Sequence, residues 1–317
     1  MSAMLLSPMV LFFGLGAFAA FARSDLAIPE AIGKGMAIFL MVAIGLKGGV
    51  AVAGEGITMS LMAAAAIGVA LAFVLPLPAY WITRVVGRQS PVDAAAIAAH
   101  YGSVSVVTFV AGLETLKLAG LLPSGHMVAV LALMETPAIV TGLLLARRAL
   151  AVQQPASGLL HETLLNGSVV LLIGSFLIGL AIGSDGFAQI APVFEAGFRG
   201  VLCLFLLDMG LVAARRLRET RSLTVNLAAV AVVVPVCNGF VGAALGALGQ
   251  LSLADAAALA ILAASASYIA VPAAMRMALP QANAGTSLAM SLGVTFPFNV
   301  VAGIPLYIWF AQLMGAR

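Results

Sequence analysis

Long apolar stretches recur along the whole chain, and this feature constrains its fold more than any other. About 20 apolar residues cross a bilayer as a single helix. Only 9% of the residues are charged, whereas a soluble domain carries about 25%, so the chain cannot cover a water-facing surface. We therefore predict an all-α polytopic membrane protein with ten transmembrane helices. The predicted spans are 4–22, 33–53, 57–82, 93–112, 125–147, 163–183, 190–214, 223–249, 254–274 and 284–312.

Basic residues predict how the chain is oriented in the bilayer. Eleven of the 15 Lys and Arg residues fall in the loops after the first, third, fifth, seventh and ninth spans. Because cytoplasmic loops carry the excess of Lys and Arg, we predict that these loops are cytoplasmic and that both termini lie outside. No basic run with interleaved aromatic residues occurs, so nucleic acid is not expected as a partner.

Two segments of the chain are similar at a spacing of 162 residues. Asp93–Ser105 and Asp255–Ser267 share seven of 13 positions, including the aspartate and both serines. This similarity predicts two halves, 1–148 and 163–317, joined by a cytoplasmic linker at 149–162. Because each half has an odd number of spans, the second half enters the membrane from the opposite side, which is the inverted-repeat architecture of many secondary transporters. The two aspartates directly precede the repeated spans and are predicted to be helix N-caps.

The repeated Ser-x-Ser motif predicts a broken helix in each half, with Gly102 beside the first copy and Pro272 after the second. Substrates of inverted-repeat transporters bind where such broken helices meet. Serine hydroxyls both donate and accept hydrogen bonds, and helix N-termini carry positive partial charge, so the pair suits a small anion such as bicarbonate. The alternative is that Gly and Ser only allow close helix packing. The predicted substrate-binding residues are Gly102, Ser103, Val104, Ser105, Thr108, Ser265, Ala266, Ser267 and Tyr268.

Two acidic residues, Glu135 and Asp208, lie inside predicted spans. Ionisable groups within a membrane are costly and mark functional positions. Glu135, Thr136 and the proline-containing segment around Asn299 form a candidate sodium site, because hard cations prefer oxygen ligands. A structural, hydrogen-bonded acid is the alternative for Glu135. Asp208 could instead pair with an arginine or cap a helix break.

The spans that carry the Ser-x-Ser motif have no central Lys or Arg, so a bound cation would strengthen anion binding. Two unit charges about 5 Å apart gain about 3 kcal/mol at an effective dielectric constant near 20, which corresponds to about a hundredfold in affinity. This coupling predicts sodium–anion symport. A symporter of a larger organic anion that contacts Tyr268, an intramembrane enzyme and a channel are the alternatives. The absence of a metal-ligand histidine pair or a serine–histidine–acid set argues against an enzyme.

The segments that carry these motifs resemble the sodium-dependent bicarbonate transporter family of cyanobacteria and its homologues in other bacteria. The resemblance implies ten helices in two inverted halves, a core domain and a gate domain assembled from both, and a homotrimer in the bacterial inner membrane. It also implies sodium-driven uptake of bicarbonate, with the anion at the Ser-x-Ser positions. The matching segments are Ser24–Glu30, Ile44–Gly49, Tyr101–Phe109, Met134–Thr141, Ala264–Pro272 and Ile304–Leu306.

Two features depart from the cyanobacterial members. Tyr268, Ala270 and Val271 stand where those members carry an acidic residue followed by smaller residues, so the resemblance does not determine the ion stoichiometry. Only about 15 residues join the two halves here, in place of a long charged region. Inhibition by a PII-like regulatory protein, which the family implies, therefore has no visible docking loop in this sequence.

Overall fold

The computed structural model describes residues 8–56, 58–150, 167–219, 223–269, 271, 272, 275, 279 and 281–316, and these residues contain helices and no strand. Most of the predicted linker, from 151 onward, lies outside them. The α-helices are α1 Pro8–Phe21, α2 Glu30–Glu55, α3 Met59–Val74, α4 Pro76–Val85, α5 Pro91–Gly102, α6 Val106–Leu118, α7 Met127–Leu150, α8 Gly167–Ala188, α9 Phe198–Glu219, α10 Val225–Leu248, α11 Leu253–Ala263, α12 Ala284–Leu288, α13 Phe296–Phe298 and α14 Ile304–Leu313. The π-helical turns are Pro192–Ala196, Ala289–Thr295 and Asn299–Gly303.

Seven helical stretches in the described ranges are long and apolar enough to cross a membrane. They confirm the predicted all-helical class, while the number of ten transmembrane helices stays a prediction. The seven stretches are Glu30–Gly54, Met59–Val85, Pro91–Leu118, Met127–Ala146, Val170–Ala188, Val225–Leu248 and Ala284–Leu313.

Three predicted spans are not among these seven stretches, each for its own reason. The span at 4–22 begins outside the described residues, and its helix α1 has 14 residues. The span at 190–214 falls on α9, which contains three charged residues, Arg199, Asp208 and Arg215, within one membrane-spanning length. The span at 254–274 is interrupted, because α11 ends after 11 residues.

Four helices pair through close backbone contacts at glycines. Gly16 of α1 lies against the backbone of α9 at Leu207, and Gly179 of α8 lies against the backbone of α2 at Leu46. A side chain at either glycine would collide with the facing carbonyl. Small residues allow such close packing in membranes, where apolar surface alone does not drive helices together. In both pairs the first helix of one predicted half packs on the second helix of the other, and we call α1, α2, α8 and α9 the gate helices.

Two alanine-rich helices lie at the centre of the remaining bundle. Every residue of α11 from Ala254 to Ala263 is buried, and so is every residue of α5 from Ala94 to Gly102. Their small side chains let neighbouring helices approach closely, as Gly242 of α10 does against Ala260. Each of the two helices is therefore buried on all sides, and it stops in the interior at a Ser-x-Ser motif.

The predicted N-caps at Asp93 and Asp255 are wrong by three residues. Ser90 and Ser252 cap the two helices, because each serine hydroxyl accepts a hydrogen bond from the aspartate N–H. The two carboxylates instead reach the other half of the chain. Asp93 accepts from the backbone N–H of Asn283 at 2.7 Å, and Asp255 accepts from that of Ser124 at 2.7 Å. Equivalent positions of the repeat thus make equivalent contacts in opposite directions.

Candidate functional site

The first helix break lies between α5 and α6. α5 ends at Gly102, and Ser103 and Val104 continue in a non-helical conformation. Ser105 is the N-cap of α6, since its hydroxyl accepts a hydrogen bond from the Thr108 N–H at 3.2 Å. This bond satisfies one of the N–H groups that a helix start leaves without an intrahelical partner.

The second helix break follows α11. Residues 265–267 leave the helical conformation, and 268 and 269 form a bend. The Ser265 hydroxyl donates to the Leu262 carbonyl at 2.7 Å, which satisfies an acceptor at the helix end. The Val271 N–H lies 3.5 Å from the Ser267 hydroxyl. Both serines are buried, with 0% and 2% of their surface exposed.

The two breaks cross and are joined by direct hydrogen bonds. The Ser105 N–H donates to the Ser265 hydroxyl at 2.9 Å, and the Ser267 N–H donates to the His100 carbonyl at 2.9 Å. The His100 Nδ1 atom lies 2.6 Å from the Ser267 carbonyl. Because a carbonyl only accepts, this nitrogen carries the proton. The motif that the sequence repeats is therefore the place where the two halves meet.

A small cavity lies at this crossing, and one serine of each motif lines it. The second serine of each copy, Ser105 and Ser267, lines the cavity together with Glu135 and Tyr268. The first serines, Ser103 and Ser265, hold the backbone instead. The cavity volume is about 10 Å³, which is room for one water molecule. An anion of the size of bicarbonate therefore fits only when the walls move apart.

Glu135 is the one acidic side chain among the residues that line this cavity. It lies in α7 and has 3% of its surface exposed. The Ser103 hydroxyl donates to the Glu135 carbonyl at 3.1 Å, which ties the first break to α7. Carboxylate and hydroxyl oxygens at one point are a donor set that fits a hard monovalent cation.

The other predicted cation-site residues lie elsewhere or are described only in part. Thr136 follows Glu135 in α7, and its side chain lies outside the described part of the structure. The Asn299 amide donates to the Ala264 carbonyl at 2.9 Å and accepts from the Tyr307 hydroxyl at 2.7 Å. These contacts support the end of α11 beside the second break. Asn299 is not among the residues that line the cavity.

Three predicted substrate-binding residues have packing or backbone contacts. Gly102 lies against Pro76, and a side chain at this position would collide with the proline ring. Ala266 packs in a buried cluster with Tyr101, and Thr108 provides the N–H that Ser105 caps. Val104, in contrast, lines the cavity.

The Tyr268 hydroxyl is buried at the cavity wall near Ser105, but it makes no hydrogen bond of acceptable geometry with the described residues. A buried hydroxyl without a partner costs free energy. A ligand oxygen in the cavity would satisfy it.

Four residues of this region escaped the sequence-based prediction: His100, and Met41, Val106 and Ile269, which line the cavity. His100 bridges the breaks although the second half has Leu262 at the equivalent position. That difference within an otherwise similar repeat was the available signal. Ile269 lines both the cavity and a larger crevice that contains Asp208. Nothing in an apolar sequence distinguishes this isoleucine from its neighbours.

A family comparison identifies the class of protein to which this fold and site belong. The model of the Na⁺-dependent bicarbonate transporter superfamily matches residues 8–312, nearly the whole chain. The chain belongs to this superfamily, and it is a multi-pass membrane transporter and not an enzyme. No curated protein matches the chain at a significant level.

Proposed function

We propose that the protein imports bicarbonate by sodium-coupled symport with alternating access. The observation that carries the proposal is the convergence of Ser105, Ser267 and Glu135 on one buried cavity at the crossing of two helix breaks. Hydroxyl groups that donate and accept match an anion that does both. Family membership supports sodium and bicarbonate as the transported ions.

The anion would bind beside the start of α6. Val106, the first residue of that helix, lines the cavity. The N-terminus of a helix carries positive partial charge and N–H groups without intrahelical partners. Ser105 and Ser267 add hydroxyl donors on two sides. No basic side chain is among the residues that line this cavity, so the helix end and the hydroxyls would supply the anion's hydrogen bonds.

Sodium would bind at the Glu135 carboxylate and neutralise it. A carboxylate alone in the cavity would repel bicarbonate, whereas a sodium–carboxylate pair would not. The cation and the anion would then each make the binding of the other more favourable. This reciprocity is what symport requires, because neither ion should cross without the other.

The contacts between the gate helices and the rest of the bundle differ on the two sides of the predicted membrane, and this difference supports alternating access. On the predicted outer side, Glu114 of α6 accepts from Arg199 Nε of α9 at 2.9 Å and from Lys117 Nζ at 2.9 Å. On the predicted cytoplasmic side, a crevice of about 290 Å³ extends to Ile269 beside the site. This asymmetry is the arrangement expected of a state that is closed outside and open towards the cytoplasm.

The crossed pairing of the gate helices and the reciprocal aspartate contacts support two inverted halves, with core and gate domains built from both. The homotrimer, the PII-like regulator and the outside location of both termini stay predictions from the resemblance and from the loop charges. The predicted linker between the halves lies largely outside the described residues.

The test is uptake of radiolabelled bicarbonate into proteoliposomes with and without an inward sodium gradient. We expect accumulation that requires sodium. Ser105→Leu should abolish it, because the larger side chain fills the cavity while α6 keeps its other contacts. Ser184→Leu is the matched control, since Ser184 is exposed on α8. The control should transport normally.

Uptake without sodium dependence, or normal uptake by the folded Ser105→Leu protein, would contradict the proposal. Competition by unlabelled carboxylates in the same assay tests the alternative of a larger organic anion. That alternative predicts stronger competition by such a carboxylate than by bicarbonate, with Tyr268 as its contact.

A further inference from the structure

Asp208 lies apart from the cavity at the crossing, in the crevice on the predicted cytoplasmic side. This crevice has a volume of about 290 Å³ and is formed by the start of α2, the middle of α9 and Ile269. The Asp208 side chain lines it, although only 8% of the residue is exposed. A carboxylate is therefore held almost completely buried beside a space large enough for several water molecules.

No described residue forms a hydrogen bond or an ion pair with the Asp208 carboxylate. Arg215, seven residues further along α9, is close enough to act on its charge. Its guanidinium, however, donates to the Leu26 carbonyl at 2.7 Å. Lys34 lines the same crevice, but its ammonium is 2.7 Å from Glu30. The two basic side chains nearest to the crevice are thus engaged with other acceptors.

Gly33 of α2 leaves room for the carboxylate. A Cβ atom at Gly33 would lie 2.6 Å from Asp208 Oδ2, so only glycine allows the carboxylate to approach α2 this closely. A buried carboxylate without a direct ion pair or hydrogen bond is unfavourable within a membrane. The chain nevertheless provides this carboxylate with both a glycine contact and an open crevice. A cation that enters the crevice would supply the missing direct partner.

Ile269 connects this crevice to the candidate transport site, because its side chain lines both spaces. We propose that Asp208 binds a monovalent alkali cation, sodium under the proposed coupling, in the cytoplasmic crevice, at a second site distinct from that at Glu135. The cation released from the crossing reaches this site once Ile269 moves aside. The assignment of sodium rests on the proposed function, whereas cation binding itself does not.

The test is equilibrium binding of radioactive sodium to the purified full-length protein without bicarbonate. Choline replaces sodium to keep the ionic strength constant. Asp208→Asn keeps the shape of the side chain and removes its charge. We expect the wild type to bind sodium at two classes of site. Asp208→Asn should lose one class, because the affinity of that site for sodium falls by at least about tenfold. Glu135→Gln should retain the class that Asp208→Asn loses.

Glu195→Gln is the matched control, because Glu195 is an exposed acid at the predicted outer end of the gate helices. It changes the net charge equally and should leave both classes intact. Unchanged sodium binding by folded Asp208→Asn would overturn the proposal. If that variant fails to fold, Gly33→Ala replaces it, since the added methyl group displaces the carboxylate without removing its charge. Normal sodium binding by Gly33→Ala would then overturn the proposal.

The same measurement separates this proposal from the proposed function. A wild type that binds sodium at Asp208 but imports bicarbonate without sodium would support the crevice site and refute the coupling. Sodium-dependent uptake together with a single class of sodium site, which Asp208→Asn leaves unchanged, would support the coupling and refute the crevice site.

Discussion

The two helix breaks have the same serine spacing but are held in different ways. The first break is largely self-supporting, because Ser105 caps α6 within its own half and Ser103 binds the α7 backbone. The second break is also bonded within its own half, since the Ser265 hydroxyl donates to the Leu262 carbonyl, and it provides most of the groups that connect the two breaks. The Ser265 hydroxyl accepts from the Ser105 N–H, and the Ser267 backbone both donates to His100 and accepts from it. Identical motifs thus acquire unequal structural roles.

This difference teaches that a repeated motif need not repeat its function residue by residue. In each copy both serine hydroxyls bond to backbone groups, but the second serine also lines the cavity. Yet one of the polar bridges between the copies comes from His100, which has no counterpart at Leu262. Changes at residues that join the breaks should therefore reduce both stability and transport. A change at Tyr268, whose hydroxyl does not hold the breaks, should reduce transport alone.

The largest effect on stability is expected for Ser265→Ala. The substitution leaves the buried Ser105 N–H without an acceptor and the Leu262 carbonyl without its side-chain donor. An unsatisfied buried polar group costs about 1–3 kcal/mol, so we expect a loss of about 2 kcal/mol in the free energy of unfolding together with loss of most uptake. Thermal unfolding of the purified protein measures the first effect. Wild-type stability would show that the breaks are not held together at this serine.

A smaller loss is expected for His100→Leu, which gives the first half the residue found in the second. The Ser267 carbonyl loses the donor at 2.6 Å, while the backbone bond between the same residues remains. We expect a loss of about 1 kcal/mol and reduced uptake. His100→Asn should restore part of both, because its amide can donate from a similar position. Equal behaviour of the two variants would refute the bridging role.

The smallest effect on stability, with a clear effect on transport, is expected for Tyr268→Phe. Its hydroxyl makes no hydrogen bond of acceptable geometry with the described residues, so its removal should change the free energy of unfolding by less than about 0.5 kcal/mol. Uptake should fall, because the anion loses a donor. Tyr307→Phe provides the contrast, since that hydroxyl donates to Asn299 and its loss should cost stability. A Tyr268→Phe protein with normal uptake would exclude this hydroxyl from the site.

The sequence predicted the breaks and misjudged some residues around them, and the reasons are physical. Charge scarcity and the Ser-x-Ser repeat are visible locally, so the helical class and the positions of both breaks could be predicted. The N-caps lie at Ser90 and Ser252 and not at Asp93 and Asp255, because each serine hydroxyl accepts the hydrogen bond of the aspartate N–H. Gly102 ends α5 as expected of a glycine at a break, but its contact with Pro76 comes from a distant part of the chain and no local pattern shows it.

The amino-acid sequence by itself determined that this chain forms membrane-embedded helices. It also determined where two of those helices end. Both follow from hydrophobicity and from short-range hydrogen bonding, which depend on neighbouring residues. Only the tertiary structure decided which serine of each pair faces the cavity, that His100 joins the breaks, and that Asp208 lies in a crevice next to Ile269. These properties depend on how helices far apart in sequence rotate and approach one another, and no local pattern of residues specifies that geometry.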